Sequence, residues 1–136
     1  MKPRIRELAL AIGVIVSASA VPALAQKPVL AMLGQLQKGE WELRVRGDDA
    51  SVRRICLGDA GRLIQLRHNA KGCDRLVVLD SADEVTVQYT CTGQGYGRTH
   101  IRRETNRLVQ IDTQGIADGL PFSYALEARR VGTCRP

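Results

Sequence analysis

At 136 residues, with 20 Lys and Arg against 14 Asp and Glu and a net charge of +6, the chain has room for one domain. One Trp, one Phe and three Tyr limit it to a modest core, which excludes a large single-cored architecture. The apolar run Leu8–Val16 is too short to anchor a helix across a bilayer.

The first 25 residues read as an export signal. Lys2, Arg4 and Arg6 form a positive start, and Ala23-Leu24-Ala25 supplies the small residues that a signal peptidase reads. Ala18-Ser19-Ala20 is a second possible cut. Cleavage near Ala25 leaves one domain, residues 26–136, with a net charge of +4 and no membrane span. The expected location is the periplasm, or the medium if the protein is secreted.

Pro28 to Gln37 is expected to form a short helix. Proline suits a first turn, Leu30, Leu33 and Leu36 share a face, and Gly39 ends it. Glu40 to Arg46 alternates as a half-buried strand does, with Trp41, Leu43 and Val45 on one side. Gly47-Asp48-Asp49 turns the chain. Ser51 to Leu57 returns as a second strand, interrupted by Arg53-Arg54, and its pattern leaves the face of Cys56 undecided. Asp59 is placed to cap a helix over Ala60–His68, with Leu63, Ile64 and Leu66 apolar.

Cys73 to Cys91, CDRLVVLDSADEVTVQYTC, reads as two strands joined by a polar turn. Val77, Leu79, Val85 and Val87 share one parity with both cysteines. A turn centred on Ala82 sets Leu79 against Val85, Val77 against Val87 and Cys73 against Cys91, within reach of a disulfide. Thr92 to Gly95 turns into a strand over Tyr96–Glu104, and Thr105-Asn106 turns again. Arg107–Thr113 is a strand and Gln114–Pro121 a loop. Phe122 to Leu126 then alternates in a last strand toward Arg130 and Cys134.

The sum is a mainly β fold: about seven strands in an antiparallel meander, curled into a half-open barrel, with one short inserted helix and a short N-terminal helix. All four cysteines lie beyond the leader, and an even number there argues for two disulfides in an oxidising compartment. Pairing Cys73 with Cys91 leaves Cys56–Cys134 by elimination. Cys56–Cys73 with Cys91–Cys134 is the live alternative. No CxxC pair supports a zinc or redox site, so neither metal nor cofactor is expected.

The order of features resembles an exported bacterial family, domain of unknown function 3617, in its compact alphaproteobacterial form. The likeness rests on GEWELR at Gly39–Arg44 soon after a leader, a cysteine ending the second strand and a helix after it. Two cysteines flanking a hairpin and a terminal Gly-x-Cys at Gly132–Cys134 complete it. It covers roughly Gly34 to Cys134 and implies a periplasmic β-rich domain. It implies no catalytic residues.

Beyond the leader there are 14 Arg against 3 Lys. Arg98, His100 and Arg102 share a parity and form a basic row on one strand face, which Arg53, Arg54, Arg129 and Arg130 extend if the sheet brings them near. Guanidinium grips phosphate or carboxylate in a bidentate way, so an anionic envelope component is the expected partner. The plainer reading is a solvated strand face. Nucleic acid is not expected, because only Tyr96 lies near the row to stack on a base. Gly93-Gln94-Gly95-Tyr96-Gly97 joins two strands and reads as a hairpin turn, not a phosphate loop. His68 suits the end of a helix, where the dipole favours it. Asp80, Asp83 and Glu84 lack the spacing of a calcium loop and keep the turn wet. GxSxG, SxxK and HExxH are absent, so an enzyme is not expected. The expected function is non-enzymatic binding; the alternative is a carrier holding an apolar or lipid ligand in the mouth of the curled sheet.

Overall fold

Alternating residues and short polar turns build one antiparallel sheet in the computed structural model, which describes residues 30–135. The leader, its cleavage sites and Pro28 lie outside the described residues. The elements are α1 (Ala31–Gly34), β1 (Gly39–Val45), β2 (Val52–Leu57), a 3-10 helix (Ala60–Gln65), β3 (Asp74–Asp80), β4 (Glu84–Cys91), β5 (Gly95–Thr105), β6 (Leu108–Ala117) and β7 (Leu120–Gly132). The fold is mainly β: seven antiparallel strands form one curled sheet that does not close into a barrel.

The strand order, β2-β1-β7-β6-β5-β4-β3, departs from a simple meander. Strands β3 to β7 do follow one another, but the β1–β2 hairpin docks on β7, the last strand. The segment between β2 and β3 therefore carries the chain from one edge of the sheet to the other. Its 3-10 helix lies against β5 on the concave side. There Leu63 and Ile64 join Trp41, Leu43, Val85, Val87, Ile101, Val109, Ile111, Leu126 and Ala128 in a single core. Met32, Leu33 and Leu36 from α1 complete it.

Several expected boundaries move, each for a local reason. The N-terminal helix is only four residues long, because Gly34 weakens it and the Gln37 N–H is taken by the Asn106 carbonyl, 2.9 Å away. The inserted helix is a 3-10 turn that stops at Gln65, short of His68. Asp59 does cap it, its carboxylate accepting from the Gly61 N–H at 2.8 Å. In the hairpin, Val77 faces Val87 as expected, but a bulge follows: Leu79 lies opposite Thr86, and Asp80 takes the place beside Val85. Gln114–Pro121 is not a loop. β6 runs on to Ala117, and Asp118 and Gly119, both at positive φ (53° and 79°), form a two-residue turn into β7.

Both disulfides are present: Cys73–Cys91, with Cα atoms 4.4 Å apart, and Cys56–Cys134, at 5.3 Å. The alternative pairing is thereby set aside. Cys56 takes the exposed face, where its bond skips over β1: Glu40 lies opposite both Cys56 and Gly132. Such bonds belong to an oxidising, extracytoplasmic environment. No helix among the described residues is long and apolar enough to cross a membrane.

The loops closed span 18 and 78 positions. On loop-closure entropy, paired Ala substitutions at Cys73 and Cys91 should lower unfolding free energy by about 3 kcal/mol, and at Cys56 and Cys134 by about 4 kcal/mol. Urea denaturation of the two double variants, compared with the oxidised parent, checks both the losses and their order.

Candidate functional site

Side chains on β5 alternate between core and solvent, which puts Arg98, His100 and Arg102 together on the convex face with Tyr96. The row exists as expected, but its neighbours are acidic. His100 Nε2 lies 3.0 Å from Glu84 Oε2, and Arg102 Nη2 lies 3.2 Å from Glu104 Oε1. Of the arginines expected to extend the row, Arg54 pairs with Glu42 at 3.2 Å and Arg129 with Glu127 at 3.2 Å. Hydrogen bonds from Arg44, and then Arg54, hold the Glu42 carboxyl below its ordinary range. Arg130 instead donates to the Lys38 carbonyl at 2.8 Å. Arg98 alone of the row has no carboxylate partner among the described residues. It lies with Tyr96, Gln88 and Gln114 around a shallow depression of about 410 Å³. The His100–Glu84 pair lines neither this depression nor the larger cleft below. In the β3–β4 turn, Asp83 is engaged by Arg103, which also donates to Asn106 and so ties two turns together.

The larger opening lies on the other face. Because the sheet curls without closing, its two edges confront each other across a cleft of about 940 Å³. β2 contributes Arg53 and Ile55, β3 contributes Asp74, Arg75 and Val77, and the crossover supplies Arg62, Leu66, Ala70 and Lys71. Arg53 sits on the concave face because it lies opposite buried Leu43. Four basic side chains (Arg53, Arg62, Lys71, Arg75) against Asp59 and Asp74 give this rim a positive balance over apolar walls. Arg62 donates to the Cys56 carbonyl at 2.7 Å, and Arg75 to Gln65 Oε1 at 2.8 Å. Arg53 and Lys71 make no hydrogen bond or ion pair among the described residues. No signal in the sequence joins these residues, since they come from both edges of the sheet.

The floor of the cleft is held by His68, which does not serve a helix end as the sequence suggests. The chain tightens at Gln65 and turns this imidazole into the core, where it is 4 % exposed. Nε2 lies 3.1 Å from the Ile116 carbonyl and 3.2 Å from that of Gln94. Carbonyls only accept, so Nε2 carries a proton, while Nδ1 meets the Tyr89 hydroxyl at 3.0 Å. Gly95, at φ 120°, leaves room for this: a Cβ there would drive into the Ile116 carbonyl and crowd His68. Nearby, the Thr99 hydroxyl donates to the Ile64 carbonyl and meets Thr113 at 2.8 Å. Burial pushes the Tyr89 phenol up to about 12, and raises Tyr124 against the pull of Arg67 and Arg53.

No protein-family model, curated protein or solved structure matches the chain.

Replacing Tyr89 with Phe leaves buried Nδ1 of His68 without its hydrogen-bond partner, and should lower stability by about 1–3 kcal/mol in urea denaturation. Tyr89 also sets an alkaline limit. Its folded-state value is above the ordinary 10.0, so the unfolded chain loses the proton first, and stability should fall as pH rises from 10.0 toward about 12. The Tyr89→Phe variant should show a shallower alkaline decline.

Proposed function

We propose that the chain is an exported, non-enzymatic binding domain of the bacterial envelope, working in the periplasm after its leader is removed near Ala25. Its ligand is an amphiphilic anion: an acyl chain carrying an acidic head, held in the cleft between the two edges of the sheet. The resemblance to the domain of unknown function 3617 family and the two disulfides support the setting. The observation that carries the ligand class is the pairing of apolar walls with a basic rim. Leu66, Ala70 and Val77 offer surface to a hydrocarbon, while the Arg53 and Lys71 side chains stand beside them with no partner among the described residues. A cleft of this volume lies within the ~300–1,000 Å³ common for small-molecule sites.

Arg98 favours a second reading, with the anion gripped on the convex face beside Tyr96, where the depression offers a seat. The neutralised neighbours His100 and Arg102 count against it, because carboxylates interspersed at contact distance dilute the local field.

The test uses palmitate and hexadecanol as probes in a fluorescence-displacement titration. Arg53→Ala combined with Lys71→Ala should weaken palmitate by roughly tenfold, the scale of one lost charge-assisted hydrogen bond, and leave hexadecanol unchanged. The triple variant Arg98→Ala, His100→Ala, Arg102→Ala should bind both as the parent does. Loss of palmitate in the triple variant alone would move the site to the convex face. No binding of either probe to the parent would remove the proposal.

A further inference from the structure

The strand DRLVVLD, β3, has four apolar residues in succession between charged ends. Such a run is suited to a strand covered on both faces, yet every residue of β3 is exposed. Leu76 is 64 % exposed, Val77 45 %, Val78 47 % and Leu79 42 %. β3 is also an edge: it pairs with β4, and its other side pairs with nothing among the described residues. Edge strands in folded proteins are commonly blunted by charge, proline or cover, because an open row of backbone groups templates pairing with another chain. The opposite edge, β2, follows that rule. It carries Arg53 and Arg54 mid-strand, its Cys56 carbonyl is occupied by Arg62, and its end is bonded to Cys134. β3 has charges only at its ends.

We propose that β3 pairs antiparallel with β3 of a second copy of this chain about a twofold axis, setting Leu76 against Leu79, Val77 against Val78, and Arg75 against Asp80. The choice of a second copy rests on self-complementarity. In this register each Arg75 meets the Asp80 carboxylate of the other copy, a pair that the symmetry repeats once, and Asp80 has no ion pair within its own chain among the described residues. The bulge after Val77 is what makes the register geometrically consistent. Leu76 and Leu79 lie opposite Gln88 and Thr86, and so share the convex face; Arg75 and Asp80 lie opposite Tyr89 and Val85, and so share the concave one. Directly opposed residues of an antiparallel pair must point to the same side, and the Leu76–Leu79 and Arg75–Asp80 pairs do. Slipping by one residue sets Asp74 against Asp80, two like charges, and points Arg75 and Leu79 to opposite faces.

Sedimentation velocity of the oxidised protein across a concentration series tests the pairing. The parent should shift from monomer to dimer as concentration rises, and Val78→Lys, at an exposed position, should abolish the shift with the melting curve unchanged. Arg75→Asp and Asp80→Arg should each weaken dimerisation roughly tenfold, since one attractive cross-strand pair becomes repulsive at two symmetric places. The double charge swap should restore it. A parent that stays monomeric, including one that captures only an extended peptide of other sequence, would overturn the proposal. So would a dimer indifferent to Val78→Lys, or a double swap no better than either single change.

Discussion

A single buried imidazole fastens the crossover to the sheet. His68 belongs to the crossover, and its three partners belong to β4, to the turn before β5 and to β6. The crossover has almost no regular structure of its own, so its backbone and side chains must find hydrogen bonds on the sheet or lose them. Thr99 accomplishes the same for the Ile64 carbonyl. With those contacts made, Leu63 and Ile64 are pressed onto the concave face, and a core with one tryptophan is filled from the open side. The cleft exists because the crossover covers only part of that side.

The disulfides act on other places. Each ties an edge strand to its own neighbourhood: β3 through Cys73 to β4, and β2 through Cys56 to the segment after β7. Neither spans the cleft between the two edges. The disulfides therefore limit the unfolded chain without themselves bridging the opening. The charges divide in a similar way. Carboxylates accompany most convex-face arginines, while the cleft gathers basic groups from elements far apart in sequence.

Much of the fold is legible in local pattern. Parity within Cys73–Cys91 gives a disulfide, and the alternation of Trp41, Leu43 and Val45 gives a strand with its buried face. What local pattern lacks is any mark of β1 meeting β7, because that pairing depends on which edge the crossover leaves open. The bulge at Val78 has no glycine to announce it and becomes visible only once Val77 and Leu79 have partners. Asp118-Gly119 carries a strong hairpin signal, which the reading of Gln114–Pro121 as a loop passes over. Pro121 beside it argues for a loop, but β1 reaches β7 only as far as Leu126, so the missing N–H of Pro121 lies where a third strand is not required. Of the site, the convex row could be read from spacing within one strand. The basic cleft could not, because it is assembled from both margins of the sheet.

The place of β1 between β2 and β7 has a consequence for how the chain reaches its final form. Synthesis delivers the β1–β2 hairpin before the other strands, yet the flank of Trp41 and Leu43 meets its permanent neighbours only when Leu126 and Ala128 emerge. Until then a nascent two-stranded ribbon waits with its greasiest surface bare, and such ribbons are marginal alone. Closure of that distant contact is the slow, entropically demanding event for a topology of this kind. Vectorial delivery thus leaves an earlier-made hairpin dependent on a later-made strand.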